Sequence, residues 1–190
     1  MLTSAGACVR ACVFINRVQW GVPLFKRLLA LKASRHGGAS LHPALATADW
    51  SRTGVFGHSM GGMSTPTAAS ARGYNITAML ASHGALFAGG VHVPAMFTTG
   101  SADTTVDPAS VKAAFDACPA RPKVFAELVG AGHMEPRDGG RRLNLFDAHF
   151  LACHVSKRAE SCTAIYSGGP LSLCRANKYT SCEIKGNVSL

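Results

Sequence analysis

The chain has 190 residues, of which 47% are hydrophobic and 15% charged. This balance is typical of a folded globular domain and excludes a disordered chain. The net charge is +9, but the basic residues are scattered, with pairs such as Arg141-Arg142 and no interleaved aromatic residues. We therefore expect no nucleic-acid partner. No apolar stretch approaches the ~20 residues of a membrane-spanning helix, so we expect no integral membrane segment.

The first 48 residues are predicted to be poorly defined, with one helix over 24–32 and no credible strand. From residue 49 onward, strands alternate with helices, which predicts an α/β fold with a mostly parallel sheet and flanking helices. We expect this core to extend over residues 49–157 and residues 158–190 to form a Cys-rich tail packed on it. The predicted strands cover 52–56, 75–81, 94–99 and 123–129, and the predicted helices cover 63–72, 108–117 and 143–154.

A serine-centred motif, Gly57-His58-Ser59-Met60-Gly61, lies directly after a predicted strand and directly before a predicted helix. In a G-x-S-x-G sequence the serine sits on a sharp turn, and the flanking glycines leave room for the crowded backbone. The N-terminus of the following helix then points at the serine, and the N–H of Met60 can donate to an oxyanion. We predict Ser59 as a nucleophile and Met60 as an oxyanion-hole donor.

An acid and a base follow at the ends of two later strands. The strand over 94–99 runs into a turn that ends at Asp103. Asp107 is the competing acid, but it precedes Pro108 and is typical of a helix N-cap. The strand over 123–129 runs into a loop that carries His133. The order serine, acid, histidine predicts a catalytic triad of Ser59, Asp103 and His133.

Seven cysteines are placed unevenly along the chain. Two lie near its start, and five lie toward its end, at Cys118, Cys153, Cys162, Cys174 and Cys182. A metal site at His149, Cys153, His154 and Cys162 is the competing interpretation, but the spacings fit no common zinc module. We predict disulfides among the five cysteines, with the pairing open, and no metal. The cysteines favour a secreted protein, although no clear signal peptide is visible.

The chain resembles the α/β-hydrolase superfamily, and within it the branch of dienelactone hydrolases, bacterial cutinases and polyester hydrolases. The elbow at Ser59, the G-x-x-D turn ending at Asp103 and the G-x-G-H loop ending at His133 carry this likeness, which covers about residues 49–155. The resemblance implies a partial α/β-hydrolase fold and a serine esterase without cofactors. Strict dienelactone hydrolases use a cysteine nucleophile, and Ser59 argues against that activity.

The resemblance also implies how the triad is surrounded. His58 is expected to pack across the elbow, and His58 and His83 are expected to flank the substrate. Polyester hydrolases often carry a tryptophan where this chain reads Ser82-His83-Gly84, which argues against an aromatic polyester. We expect a small-molecule, lipid or polymeric ester as substrate and a monomeric protein.

The early strands of this branch have no credible counterpart in residues 1–48. A loop after one of those strands supplies the second oxyanion donor, and the loss of one donor typically costs about 10²–10³ in rate. The alternative hypothesis is therefore a truncated or non-catalytic homologue that acts as a binding module.

Overall fold

The described part of the chain has an α/β fold built on a six-stranded sheet in the order β1 to β6. A computed structural model describes residues 13–14, 51–71, 75–138 and 142–188. The first five strands are parallel, and β6 runs antiparallel to β5. The predicted mostly parallel sheet is confirmed. The strands are β1 (Val13–Phe14), β2 (Thr53–His58), β3 (Ile76–Ser82), β4 (Ala95–Gly100), β5 (Lys123–Leu128) and β6 (Tyr179–Lys185).

Six helices flank this sheet in the described part of the chain. They are α1 (Met60–Ser70), α2 (Pro108–Ala117), α3 (Glu135–Asp138), α4 (Asn144–Ser156), α5 (Ala159–Tyr166) and α6 (Leu173–Ala176). Helix α1 begins earlier than the predicted start at residue 63, because the turn at Ser59 leads into it without a linker. None of the helices in the described ranges is long and apolar enough to span a membrane.

Two predictions about the ends of the chain were wrong. No strand was expected within residues 1–48, yet Val13 and Phe14 pair in parallel with Val55 and Phe56. The strand over 123–129 was expected to be the last, yet β6 pairs with β5 along its length. Two-residue strands and mixed polar strands such as β6 have too little hydrophobic alternation to be recognised. The helix predicted over 24–32 lies outside the described residues.

The core lies on both faces of the sheet because successive strand residues point to opposite sides. Met79 of β3 and Phe97 of β4 pack on one face with the buried residues of α2. Leu80 and Met96, their neighbours in sequence, pack on the other face with α4. All four side chains are completely buried. The central strands are therefore held from both sides, which fixes where each strand ends.

Three glycines allow β2, α1 and the chain after β3 to approach one another closely. A Cβ on Gly57 would lie 2.2 Å from the carbonyl of Gly61, and one on Gly62 would lie 2.3 Å from the carbonyl oxygen of Gly84. A Cβ on Gly84 would lie 2.5 Å from the carbonyl oxygen of Ser59. All of these contacts are with backbone, so a side chain at any of the three positions would force the elements apart.

Two disulfides hold the C-terminal region. Cys153–Cys162 joins α4 to α5, and Cys174–Cys182 joins α6 to β6. Cys118 was grouped with the disulfide candidates, but it is a free thiol in the core. Burial raises the pKa of this thiol. Because Cys153 and Cys162 are bonded to each other, their thiolates are not available for the metal site that was the competing interpretation.

A buried carboxyl lies on α4. Asp147 is almost inaccessible to solvent, and its Oδ1 has no hydrogen-bond partner within the described residues. Burial, and to a lesser degree the nearby charge of Glu135, raises the pKa of Asp147 from 3.8 to about 8. The folded protein therefore holds a proton on Asp147 where an unfolded chain would release it.

We expect Gly57→Ala to destabilise the fold strongly, because its Cβ would overlap the Gly61 carbonyl. The loss in the free energy of unfolding should be about 3 kcal/mol or more, the upper range for overpacking. Urea unfolding followed by circular dichroism measures it. Gly132→Ala is the control, since its Cβ would meet only the carbonyl oxygen of Ala102 at 3.7 Å. Equal stability of the two variants would contradict the crowding.

We expect Asp147→Asn to flatten the dependence of stability on pH. A carboxyl with a raised pKa contributes full stability below its unfolded pKa of 3.8, and this is lost as the pH rises toward about 8. Wild-type protein should therefore lose stability on going from mildly acidic to mildly alkaline buffer, and the variant should lose less. Urea titrations at both pH values measure this. Asp138→Asn, on an exposed residue of α3, is the control. Parallel declines would refute the assignment.

Candidate active site

Ser59 lies on a sharp turn between β2 and α1. Its φ of 56° and ψ of −124° are strained for a residue with a side chain. The strain is sustained because the Ser59 N–H donates to the carbonyl of Ser82 at 2.9 Å and its own carbonyl accepts from Met63 at 3.0 Å. The backbone is thus held at both ends of the turn. This is the geometry of the elbow predicted from the motif, with the hydroxyl placed beyond the end of the sheet.

The three predicted triad residues are brought together in one hydrogen-bonded chain. The Ser59 hydroxyl lies 2.8 Å from Nε2 of His133, and Nδ1 of His133 lies 2.8 Å from Oδ2 of Asp103. They come from the ends of β2, β4 and β5, which are parallel strands and therefore end at the same edge of the sheet. The His133 imidazole is 12% exposed and the Asp103 carboxylate is fully covered.

Asp103 is fixed and charged by its own turn. Its Oδ1 accepts from the N–H groups of Thr105 and Val106, both at 2.9 Å, which leaves Oδ2 for His133. Burial opposes ionisation, but the hydrogen bonds from Val106, His133 and Thr105 outweigh it and keep the pKa of Asp103 below its ordinary value. The carboxylate can therefore orient His133 and offset a positive charge on it.

The competing acid has the structural role expected for it. The Asp107 carboxylate accepts from the N–H of Ala109 at 3.0 Å and caps α2. The turn of Asp103 instead reaches the His133 loop, where the N–H of Ala102 donates to the carbonyl of Ala131 at 2.9 Å. A Cβ on Gly100 would lie 2.2 Å from that same Ala131 carbonyl oxygen. The absence of a side chain at Gly100 therefore lets acid and base approach.

Met60 is the first residue of α1, directly after Ser59. The first N–H groups of a helix have no partner within the helix, and the helix dipole places partial positive charge there. The Met60 N–H therefore lies where a negatively charged oxygen next to Ser59 would be stabilised. Its side chain is 49% exposed, and the side chain of Met134, the residue after His133, is 39% exposed.

Two further histidines surround His133, and the structure places them differently. The ring centroid of His58 is 4.9 Å from that of His133, and the centroid of His83 is 6.1 Å from it. His58 is partly exposed and lines a cavity of about 540 Å³ together with Met134 and α4. The described residues contain no group of three or more His, Cys, Asp or Glu side chains arranged to hold a metal.

His83 is completely buried, so the prediction that it flanks the substrate does not fit its position. Its Nδ1 lies 3.1 Å from the hydroxyl of Ser82, and its Nε2 has no partner in the described chain. Burial, and then the neighbouring His58, lowers the pKa of His83 to about 4. His83 is therefore neutral at physiological pH and adds no positive charge beside the imidazole of His133.

Several contacts at the site have no signal in the sequence. The amides of Thr105 and Val106 could donate from any turn, and only their position against Asp103 gives them a role. The carbonyl of His133 accepts from Nε2 of His58 at 2.8 Å, a contact across 75 residues of chain. A sequence motif indicates the local shape of the backbone. These contacts instead depend on how strands that are distant in sequence pair in the sheet.

The chain matches no protein-family model. No curated protein is significantly similar to it.

Proposed function

We propose that this protein hydrolyses carboxylic esters through an acyl-enzyme on Ser59. The observation that carries the proposal is the unbroken chain from the Ser59 hydroxyl through His133 to Asp103, with both hydrogen bonds at 2.8 Å. A serine hydroxyl is a weak nucleophile by itself, and a base that is oriented by a third group is what activates it. The strained turn under Ser59 supports the same interpretation, because such strain is concentrated at functional sites.

We further propose that the chain belongs with the α/β-hydrolases. The order of elements supports this: a strand, a sharp serine turn and a helix are followed by an acid after β4 and a histidine after β5. The same arrangement of nucleophile, acid and base also arises on unrelated folds. The triad alone would therefore not support this proposal. Its support is the combination of parallel strands with this order of nucleophile, acid and base.

The chemistry follows from the distances. Nε2 of His133 accepts the proton of Ser59 as its oxygen attacks the ester carbonyl, and Asp103 stabilises the imidazolium that forms. The negative oxygen of the tetrahedral intermediate lies at the N-terminus of α1, near the N–H of Met60. His133 then passes its proton to the leaving alcohol. Water, deprotonated by His133 in turn, attacks the acyl carbonyl, and His133 returns the proton to the Ser59 oxygen as the carboxylic acid leaves.

A second oxyanion donor is expected from the chain that follows the strand beside the elbow. In this protein that strand is β1, which runs parallel to β2 and pairs with it at Phe14 and Phe56. The expectation that residues 1–48 lack this second donor concerns residues outside the described ranges.

The surface near Ser59 favours an ester with an apolar acyl or alcohol group. The side chains of Met60 and Met134 are 49% and 39% exposed and stand directly beside the nucleophile and the base in the chain. Phe87, in the loop after β3, is 80% exposed. Such side chains gain free energy when a ligand covers them, about 25 cal/mol for each Å² of apolar surface.

We expect a fluorophosphonate probe to label the wild-type protein and not Ser59→Ala, because the probe reacts only with an activated serine. Gel fluorescence measures labelling, and hydrolysis of short-chain p-nitrophenyl esters should disappear in the same variant. Ser110→Ala, an exposed serine on α2, should label as the wild type does. A folded wild-type protein that takes no label would overturn the proposal and favour a binding module.

We expect Asp103→Asn to lower kcat by about 10⁴, because an amide cannot hold His133 in the tautomer that accepts the serine proton. Steady-state ester hydrolysis measures it. Asp107→Asn is the matched control: it removes the charge of a capping carboxylate four positions away but not the orientation of His133. Comparable losses in both variants would show that Asp103 acts on folding and not on the base.

A further inference from the structure

We propose that His58 is a positioning residue that holds the catalytic base against the nucleophile through the backbone of His133. This inference rests on the proposed hydrolase activity. The observation behind it is the hydrogen bond from Nε2 of His58 to the carbonyl oxygen of His133, at 2.8 Å. His58 is also the residue that precedes Ser59, so one side chain joins the nucleophile turn to the loop of the base.

The loop that carries His133 needs such a support. It connects β5 to α3. The two backbone carbonyls just before His133 accept hydrogen bonds from elements other than β2. The Ala131 carbonyl accepts from Ala102, and the Gly132 carbonyl accepts from the N–H of Glu135. These bonds fix the loop to the acid turn and to α3. Among the described residues, the donor to the His133 carbonyl itself is His58.

His58 is suited to this task by its place in the sheet. It is the last residue of β2 and stands in register with Ser82 of β3. Its backbone is therefore part of the rigid parallel sheet, whereas the loop of His133 is not. Because the side chain of His58 is bonded to the backbone of His133, the sheet fixes where the base lies. Misplacement of a reacting group by about 1 Å can cost about 10²-fold in rate.

The contact defines where one proton of His58 lies. A carbonyl oxygen only accepts, so Nε2 of His58 carries a proton and donates it. The neutral Nε2–H tautomer meets this need without adding charge. A cationic ring, with its centroid 4.9 Å from that of His133, would oppose the imidazolium that forms when Ser59 is deprotonated. The positioning role therefore requires the proton on Nε2 and no positive charge on the ring.

A substrate-binding role for His58 makes a different prediction. A residue that contacts the substrate changes KM, and its effect depends on which ester is used. A residue that positions His133 lowers kcat with little change in KM, and it does so by a similar factor for every ester. The two roles can therefore be separated by kinetics on esters of several chain lengths.

The test compares His58→Gln with His58→Asn. Both carry the same amide, but only the longer glutamine places its N–H₂ near the position of Nε2. We expect His58→Gln to retain kcat within about threefold of the wild type, and His58→Asn to lower it by about 5- to 100-fold with KM nearly constant. Active sites are titrated with the fluorophosphonate probe, so that inactive protein does not enter kcat.

A spectroscopic readout accompanies the kinetics. The proton that Nδ1 of His133 donates to Asp103 gives a far-downfield proton NMR signal when it is shielded from exchange. We expect this signal to persist in His58→Gln and to broaden in His58→Asn. Equal kcat and equal signals in the two variants would overturn the positioning role, as would a loss confined to KM. Absence of labelling in the wild-type protein would instead overturn the hydrolase activity, so the two failures are distinguishable.

Discussion

The close approach of β2, α1 and the chain after β3 is the constraint on which the rest of the site depends. A Cβ added to any of Gly57, Gly62 or Gly84 would lie 2.2–2.5 Å from a backbone atom of a neighbouring segment, so none of these positions tolerates a side chain. This close packing sustains the positive φ of Ser59. It also sets the direction of α1, whose N-terminus meets the serine. With a wider spacing the hydroxyl would not stand free above the sheet edge, and the helix dipole would not be directed at it.

The parallel sheet converts three distant positions into one site. Because β2, β4 and β5 run in the same direction, their carboxyl ends share an edge, and each loop there contributes one member of the serine–histidine–aspartate chain. The electrostatics agree with this arrangement. Asp103 is covered yet kept ionised by backbone N–H groups, and buried His83 stays neutral beside it. A positive charge on His133 would therefore face the fixed negative charge of Asp103.

The C-terminal region supports the core without reaching the site. Strand β6 covers the outer edge of β5, and two disulfides tie α4 to α5 and α6 to β6. Closing such short loops by disulfides typically contributes about 2–4 kcal/mol each, mainly by restricting the unfolded chain. Both bonds are compatible with an oxidising compartment outside the cell. Nearby, the buried ammonium of Lys123 donates to the carbonyls of Phe115 and Cys118 and completes the end of α2.

The sequence alone determined the fold class and the central strands, and it singled out the three residues that the structure joins in one hydrogen-bonded chain. It could do so because glycine requirements, helix caps and strand periodicity are local properties, and the distinction between Asp103 and the helix cap Asp107 was visible in the proline that follows Asp107. Only the tertiary structure decided the rest. Strand β1 is too short to have a pattern, and the position of β6 depends on the edge that it covers. No local pattern encodes how segments far apart in sequence come together. That arrangement decides the burial of His83, the disulfide partners and the hydrogen bond from His58 to His133.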